Sequence, residues 1–214
     1  MRFVNRADAG RRLAQRLSHL RGTAAVVLGL PRGGVPVAYE VARALGAPLD
    51  VIVVRKLGVP QQPELAMGAI GEDGVRFTNP AVIDMAGLDA HDLAVVEKAE
   101  TAQMETRVRR LRAGRPRIPV TDRTAVVVDD GIATGSTAHA ACQVARAHGA
   151  DRVVLAVPVA PPAALRDLAD VADEVVCLLT PIRLRSVGQW YRDFSPVPDS
   201  VVVDLLHRAD RMCC

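Results

Sequence analysis

Short runs of β-branched and aliphatic residues alternate with helical stretches along most of this chain. The stretches between the runs carry their apolar residues on one helical face, as Ala38, Val41 and Leu45 do. This alternation predicts parallel strands joined by helices, and therefore an α/β fold with a mainly parallel sheet flanked by helices. The predicted strands are residues 24–28, 51–54, 126–129, 153–158 and 174–178, and the predicted helices are residues 35–45, 137–148 and 162–169.

The core of this fold must be aliphatic, because aromatic residues make up only 3% of the 214 residues. Val, Ala and Leu suit parallel strands that are buried between helices. Half of the residues are apolar and 24% are charged, a balance that excludes a disordered chain. No internal repeat or low-complexity linker divides the sequence, so we predict that residues 1–214 form a single domain.

Two stretches break the alternation. Residues 67–78 hold Glu72, Asp73 and Gly74 between short apolar runs, which predicts a hairpin. Residues 89–111 have the apolar spacing of a long helix, and they lead into residues 107–117, where six of eleven residues are arginine. We interpret the arginines as a solvated helix end whose cations suit the helix dipole. The alternative, a nucleic-acid patch, lacks the interleaved aromatic residues that stack on bases.

Charge and apolar patterning also restrict the partners and the compartment. The net charge of +3 is too small to indicate a nucleic-acid partner for the whole chain, and no apolar run has the length of a membrane span. The basic N-terminus lacks an apolar run behind it, which favours an amphipathic first helix over a transit peptide. We predict that Cys142 and Cys177 are core thiols of a reducing, cytoplasmic compartment, and that the pair Cys213 and Cys214 is incidental.

The most informative segment is AVVVDDGIATGST at residues 125–137. A buried strand ends in Asp129 and Asp130, and a turn rich in Gly, Thr and Ser then opens into a helix. Ligands of open α/β sheets bind outside the carboxyl ends of strands, so a site is expected here. Gly131 and Gly135 let backbone N–H groups converge beside a helix N-terminus, which predicts a phosphate cradle. The two carboxylates suit the hydroxyls of a ribose diol or a hydrated Mg²⁺ ion.

This segment resembles the signature by which type I phosphoribosyltransferases bind 5-phosphoribosyl-1-pyrophosphate (PRPP). The resemblance implies that Asp129 and Asp130 hold the ribose hydroxyls of PRPP. It also implies a core of the type I phosphoribosyltransferase kind, with a small C-terminal hood at about residues 179–214 and an inserted helix at about residues 89–117. The implied 5-phosphate loop consists of Ala133, Thr134, Gly135, Ser136 and Thr137.

Two further segments resemble phosphate-binding parts of the same family. LGLPRGG at residues 28–34 lies where the family keeps its pyrophosphate loop, and the guanidinium of Arg32 suits phosphate oxygens. The resemblance implies that Arg32, Gly33 and Gly34 bind pyrophosphate and that the peptide bond between Pro31 and Arg32 is cis.

RKLGVPQQPE at residues 55–64 resembles, more loosely, the mobile catalytic loop of the family. This resemblance implies catalytic roles for Arg55 and Lys56 beside Arg32. By contrast, we predict that His139 and His148 are surface residues rather than acids or bases.

VGQWYRDF at residues 187–194 resembles a shortened hood segment of the 6-oxopurine enzymes. The resemblance makes Arg192 a further pyrophosphate residue, and either Trp190 or Tyr191 the ring that stacks on the acceptor base. Both aromatic residues could instead pack in the core, and for Tyr191 the two interpretations weigh equally. Ala133 stands where the hypoxanthine–guanine enzymes have an aspartate, so the identity of the acceptor stays open.

The resemblance therefore implies Mg²⁺-dependent transfer of 5-phosphoribosyl from PRPP to a nitrogenous acceptor, first of all a nucleobase, with release of pyrophosphate. Mg²⁺ is expected to arrive with PRPP, and we assign no residue as a metal ligand. The alternative is a PRPP-sensing regulator without turnover, in which residues 107–117 contact RNA or DNA. We favour the enzyme, with a homodimer as a compatible assembly and neither a membrane nor a nucleic acid as a partner.

Overall fold

The structure is a computed structural model that describes residues 2–212, apart from the side chains at positions 63 and 64, so Cys213 and Cys214 lie outside the described residues. The strands are β1 (Ala25–Gly29), β2 (Leu49–Val51), β3 (Val54–Val59), β4 (Gln62–Gly71), β5 (Arg76–Thr78), β6 (Thr124–Val128), β7 (Arg152–Val159) and β8 (Glu174–Leu179). The α-helices are α1 (Arg6–Arg16), α2 (Gly34–Leu45), α3 (Pro80–Met85), α4 (Ala90–Arg112), α5 (Ser136–Ala147), α6 (Pro162–Leu168) and α7 (Asp199–Asp210).

The central sheet is parallel and has the strand order β2-β1-β6-β7-β8. Val126 and Val128 of β6 pack into a hydrophobic cluster with residues of α1, α2, α4 and α7, whereas Ala125 and Val127 pack into a second cluster with residues of α5 and α6. Successive strand residues point to opposite faces, so a strand covered on both faces needs a continuous apolar run. The predicted α/β class, with its parallel sheet between helices, is confirmed.

A second, antiparallel sheet of β3, β4 and β5 leaves the edge of the central sheet. The single strand predicted at residues 51–54 is wrong, because the chain changes sheets within it. β2 ends at Val51, the N–H of Val53 donates to a Glu72 carboxylate oxygen at 3.2 Å, and β3 begins at Val54. The apolar run continues through this change, so hydrophobicity alone does not reveal the break.

The hairpin predicted at residues 67–78 is confirmed as β4 and β5, joined by a short 3-10 turn at Glu72–Gly74. Asp73 and Gly74 have φ values of 59° and 76°, a left-handed conformation that suits the tip of a tight turn. The prediction of a loop at residues 55–64 is wrong for the backbone, because β3 and the start of β4 pair there, with Val59 opposite Gln62.

The long helix predicted at residues 89–111 is confirmed as α4, which Asp89 caps by accepting the N–H groups of His91 and Asp92. The interpretation of its arginine-rich end as a solvated surface is wrong for Arg112. This guanidinium is buried, and it donates to both carboxylate oxygens of Asp50 at 2.6 Å and to the Glu72 carboxylate at 2.9 Å. An unpaired buried charge is very costly, so these acids tie α4 to the edge strand and to the hairpin turn.

Three other arginines of residues 107–117 form ion pairs with acids outside α4: Arg110 with Asp199, Arg115 with Asp210, and Arg117 with Asp73. The predicted first helix is present as α1. Among the described residues, no helix combines the length and the apolar character needed to cross a membrane.

Candidate functional site

The loops after β1 and β6 meet at the carboxyl edge of the central sheet, because these two strands are neighbours. The N–H of Leu30 donates to the Val128 carbonyl at 2.9 Å, which joins the start of the first loop to the end of β6. A Cβ atom at Gly33 would overlap the carboxylate of Asp130, and one at Gly34 would lie 2.6 Å from the Val128 carbonyl oxygen. Glycine at both positions is therefore what allows the two loops to touch.

The acid pair at the end of β6 is held from two sides. One oxygen of Asp129 accepts the N–H of Asp130 at 2.8 Å, and the Asp130 carboxylate accepts the Arg6 Nε–H at 2.8 Å. Tyr191 donates its hydroxyl to the backbone carbonyl of Asp130 at 2.5 Å. The acid pair is thus fixed in place by α1 and by the hood, two elements far away in sequence.

Burial dominates the electrostatics of this pair. It raises the pKa of Asp129 well above its usual range, and the neighbouring Asp130 charge raises it further. Burial also raises the pKa of Asp130, while the hydrogen bond and charge of Arg6 oppose that rise. Two buried carboxylates with a single arginine contact form a site that gains from further hydrogen-bond donors or a cation.

Arg6 was missed by the sequence analysis, which assigned the N-terminal arginines only to an amphipathic helix. Its guanidinium also lies 3.9 Å from the centroid of the Phe194 ring and donates to the Ser195 carbonyl at 2.8 Å. Arg6 therefore joins α1, the acid pair and the hood, and no motif in the sequence signals that contact.

The loop after the acid pair has the backbone of a phosphate cradle. Gly135, with a φ of 89°, directly precedes α5, and no side chain caps the helix there. The first N–H groups of α5 are thus available to a ligand, together with the positive end of the helix dipole. The loop residues Thr134, Gly135, Ser136 and Thr137 also line a cavity beside α5.

The loop after β1 contains the cis peptide bond between Pro31 and Arg32 that the resemblance implies. The Arg32 side chain is about half exposed, at 52%, and its guanidinium lies 3.8 Å from the Asp199 carboxylate. A cavity of about 400 Å³ opens beside this loop, and its walls include Leu30, Pro31, Arg55, Lys56 and Thr137.

The cavity beside α5 is a second space, of about 500 Å³, between the antiparallel sheet and the start of that helix. Lys56 and Thr137 line both cavities, so the two spaces adjoin at these residues. His139, predicted to be a surface residue, lines the larger cavity. The surface prediction is wrong for His148, which is largely buried and contacts the Glu72 carbonyl at 3.2 Å, while burial lowers its pKa.

The hood residues do not line either cavity. Tyr191 is 4% exposed and packs between Phe3 and Phe194, so the structure supports packing rather than base stacking for this ring. Trp190 is half-buried, and its indole N–H lies 2.9 Å from the side-chain oxygen of Gln189 when that amide is oriented to satisfy both of its polar atoms. Arg192 is exposed, and its backbone N–H donates to the Phe3 carbonyl.

Comparisons with known proteins agree with this geometry. A family model described as a phosphoribosyl transferase domain matches residues 4–187. Two relatives from Mycobacterium tuberculosis, strains CDC 1551 / Oshkosh and ATCC 25618 / H37Rv, are each 62% identical over 209 residues, or 98% of this chain, and bear provisional phosphoribosyl transferase names. The chain spans 47% of the length of each of these relatives. A crystal structure of the protein TT1426 from Thermus thermophilus is 44% identical, with a TM-score of 0.89 and coverage of 97% of this chain and 99% of that one.

Proposed function

Because this chain belongs to the phosphoribosyl transferase domain family, we propose that it transfers 5-phosphoribosyl from PRPP to a nitrogenous acceptor. The bond between ribose C1 and the pyrophosphate oxygen breaks, and its electron pair leaves with pyrophosphate. The acceptor nitrogen forms the new bond to C1 and releases a proton to solvent.

The observation that carries this proposal is the meeting of two glycine loops and an acid pair at one edge of the sheet. Asp129 and Asp130 accept hydrogen bonds from the ribose hydroxyls, while the loop of Ala133 to Thr137 holds the 5-phosphate. The loop of Arg32, Gly33 and Gly34 then receives pyrophosphate on the neighbouring strand end. Catalysis rests on positioning and on stabilising the charge that gathers on the leaving group.

The cations near the loop after β1 suit that second task. Arg32 projects from the loop itself, and Arg55 and Lys56 line the adjoining cavity from β3. Arg55 is held in place by the Glu100 carboxylate at 2.6 Å and by the Gln103 side-chain oxygen at 2.6 Å. We assign these three residues to the stabilisation of pyrophosphate.

Mg²⁺, which the family reaction implies, fits the donors at the acid pair. This ion prefers oxygen ligands, and it is usually held by one or two carboxylates together with substrate phosphates. Among the described residues, no three His, Cys, Asp or Glu side chains group closely enough to hold a metal by themselves. Asp129 and Asp130 would therefore share the ion with oxygens of PRPP, and the ion would neutralise charge on pyrophosphate.

Shared packing supports treating the hood and the inserted helix as parts of one phosphoribosyl transferase domain. Met104 of α4 and Leu206 of α7 belong to the same hydrophobic cluster as Leu13 of α1 and Val126 of β6. We place the reaction in the cytoplasm, because Cys142 and Cys177 are both free thiols.

A nucleobase remains the proposed class of acceptor, with Trp190 and Arg192 as hood residues that face it. The experiment is a screen of purine and pyrimidine bases with PRPP and Mg²⁺, in which pyrophosphate release is measured. Release that depends on one base supports the transferase. PRPP binding without release for any base would contradict turnover and favour the sensing regulator.

A further inference from the structure

One face of the inserted helix α4 lies over the loop after β1. Glu100 and Gln103 of this face both bind Arg55, and Arg107 lies one helical turn beyond Gln103. The spacing of three and four positions places these residues on the same side of the helix. The helix therefore presents a row of polar side chains to the proposed pyrophosphate site.

The guanidinium of Arg107 reaches the loop itself. Its Nη2 donates to the Pro31 carbonyl at 3.1 Å, and the side chain forms part of the wall of the 400 Å³ cavity with Leu30 and Lys56. A guanidinium has five N–H donors, and in the described part of the chain the Pro31 carbonyl is the one acceptor found for them. The remaining donors are available to a ligand in the cavity.

The charges around Arg107 are mostly of its own sign. Burial lowers its pKa, and the nearby Arg32 and Arg55 guanidinium groups lower it further, opposed by the Asp199 carboxylate. Asp199 is shared, because it also pairs with Arg32 and Arg110. Crowded cations with few counter-charges repel one another and attract a polyvalent anion.

We propose that Arg107 binds the pyrophosphate group of PRPP, so that the inserted helix contributes a cation to the site. This inference rests on the proposed function. Pyrophosphate, rather than the 5-phosphate, is the ligand, because Arg107 contacts the loop after β1, and of the 5-phosphate loop only Thr137 lines this cavity. The planar fork of an arginine suits two phosphate oxygens at once.

The experiment measures the binding of pyrophosphate, PRPP and ribose 5-phosphate to the full chain by calorimetry with Mg²⁺ present. For Arg107→Gln we expect the Kd of pyrophosphate and of PRPP to rise by about tenfold or more, and the Kd of ribose 5-phosphate to change by less than about twofold. Arg107→Lys keeps the charge and should recover part of the lost affinity. Arg109→Gln is the matched control, because Arg109 lies on the same helix with a side chain 71% exposed, and it should bind all three ligands like the unmodified protein.

Two results would overturn the inference alone: unchanged pyrophosphate affinity in Arg107→Gln, or equal losses for pyrophosphate and ribose 5-phosphate. The second result would make Arg107 a support of the loop rather than a ligand-binding residue. If the unmodified protein bound neither PRPP nor pyrophosphate, the proposed function would fail and this inference with it. The unmodified protein thus separates the two failures.

Discussion

The loop after β6 and the hood segment at residues 187–194 both enter the predicted site through short contiguous motifs, yet they fold to different ends. The loop places its hydroxyls and a left-handed Gly135 directly before an uncapped helix. The hood turns Tyr191 inward, where its ring packs between two Phe rings and its hydroxyl binds the backbone of Asp130. One motif presents a surface to a ligand, and the other supports that surface from behind.

This difference has a physical cause. A phosphate cradle consists of backbone N–H groups and glycine conformations, which neighbouring residues determine. Base stacking instead depends on the direction of a ring, and in the hood that direction is set by Phe3, which is far away in sequence and pairs with Tyr191. A motif of the first kind carries its function with it more reliably than a motif of the second kind.

The largest effect is expected when the acid pair is neutralised. Asp129→Asn with Asp130→Asn should weaken PRPP binding by about 100-fold, because both carboxylate acceptors for the ribose hydroxyls and Mg²⁺ are lost. Calorimetric titration with PRPP measures this loss, and circular dichroism checks the fold. Asp151→Asn, at an exposed acid outside the site, is the control. Unchanged PRPP affinity in the double variant would rule out the ribose assignment.

The same double variant should change how stability depends on pH. Burial raises the pKa of both carboxyls in the folded state, so between the ordinary Asp pKa and the raised values the folded protein binds more protons than the unfolded chain. The stability that these carboxyls contribute is therefore highest below the ordinary pKa and falls as pH rises through the folded values, by at most about 1.4 kcal/mol per pH unit for each carboxyl. Urea unfolding at a series of pH values should show a flatter profile for the double variant. An equally steep profile would contradict the raised pKa values.

Gly135→Val should damage the 5-phosphate loop, because a β-branched residue is strained by about 1–2 kcal/mol at a left-handed φ. The Kd of ribose 5-phosphate should rise by about tenfold. Gly149→Val is a matched control, since Gly149 lies just past the other end of α5 with a φ of 87°. The control should lose similar stability and keep its affinity. Affinity that falls equally in both variants would point to general destabilisation instead of a phosphate cradle.

The smallest effect is expected in the hood. Tyr191→Phe removes the hydroxyl that binds the Asp130 carbonyl, and it should lower the free energy of unfolding by about 1 kcal/mol. Since the ring is buried, the KM of the acceptor should stay within about twofold, which is about 0.4 kcal/mol. Steady-state kinetics with the acceptor found in the screen tests this expectation. A large rise in KM would show that the ring does contact the base.

Most strands and helices, the hairpin and the two glycine loops could be predicted from the sequence, because each depends on periodicity or on turn residues within a short window. The errors fall where a local pattern has two outcomes. The apolar run at residues 51–54 continues across a change of sheet, and the arginine-rich end of α4 contains one guanidinium that is buried against Asp50 and Glu72. Neither outcome leaves a mark on the residues next to it.

By itself the sequence determined the alternating fold and the acid pair beside a phosphate loop, since adjacent residues carry both. Only the tertiary structure decided what surrounds that site. Arg6 reaches Asp130 across 124 positions, and Arg107 reaches Pro31 across 76, so no local spacing could have predicted either contact. These partners depend on how α1 and α4 pack against the sheet, and that packing follows from apolar faces which specify burial but do not specify which charged side chains meet.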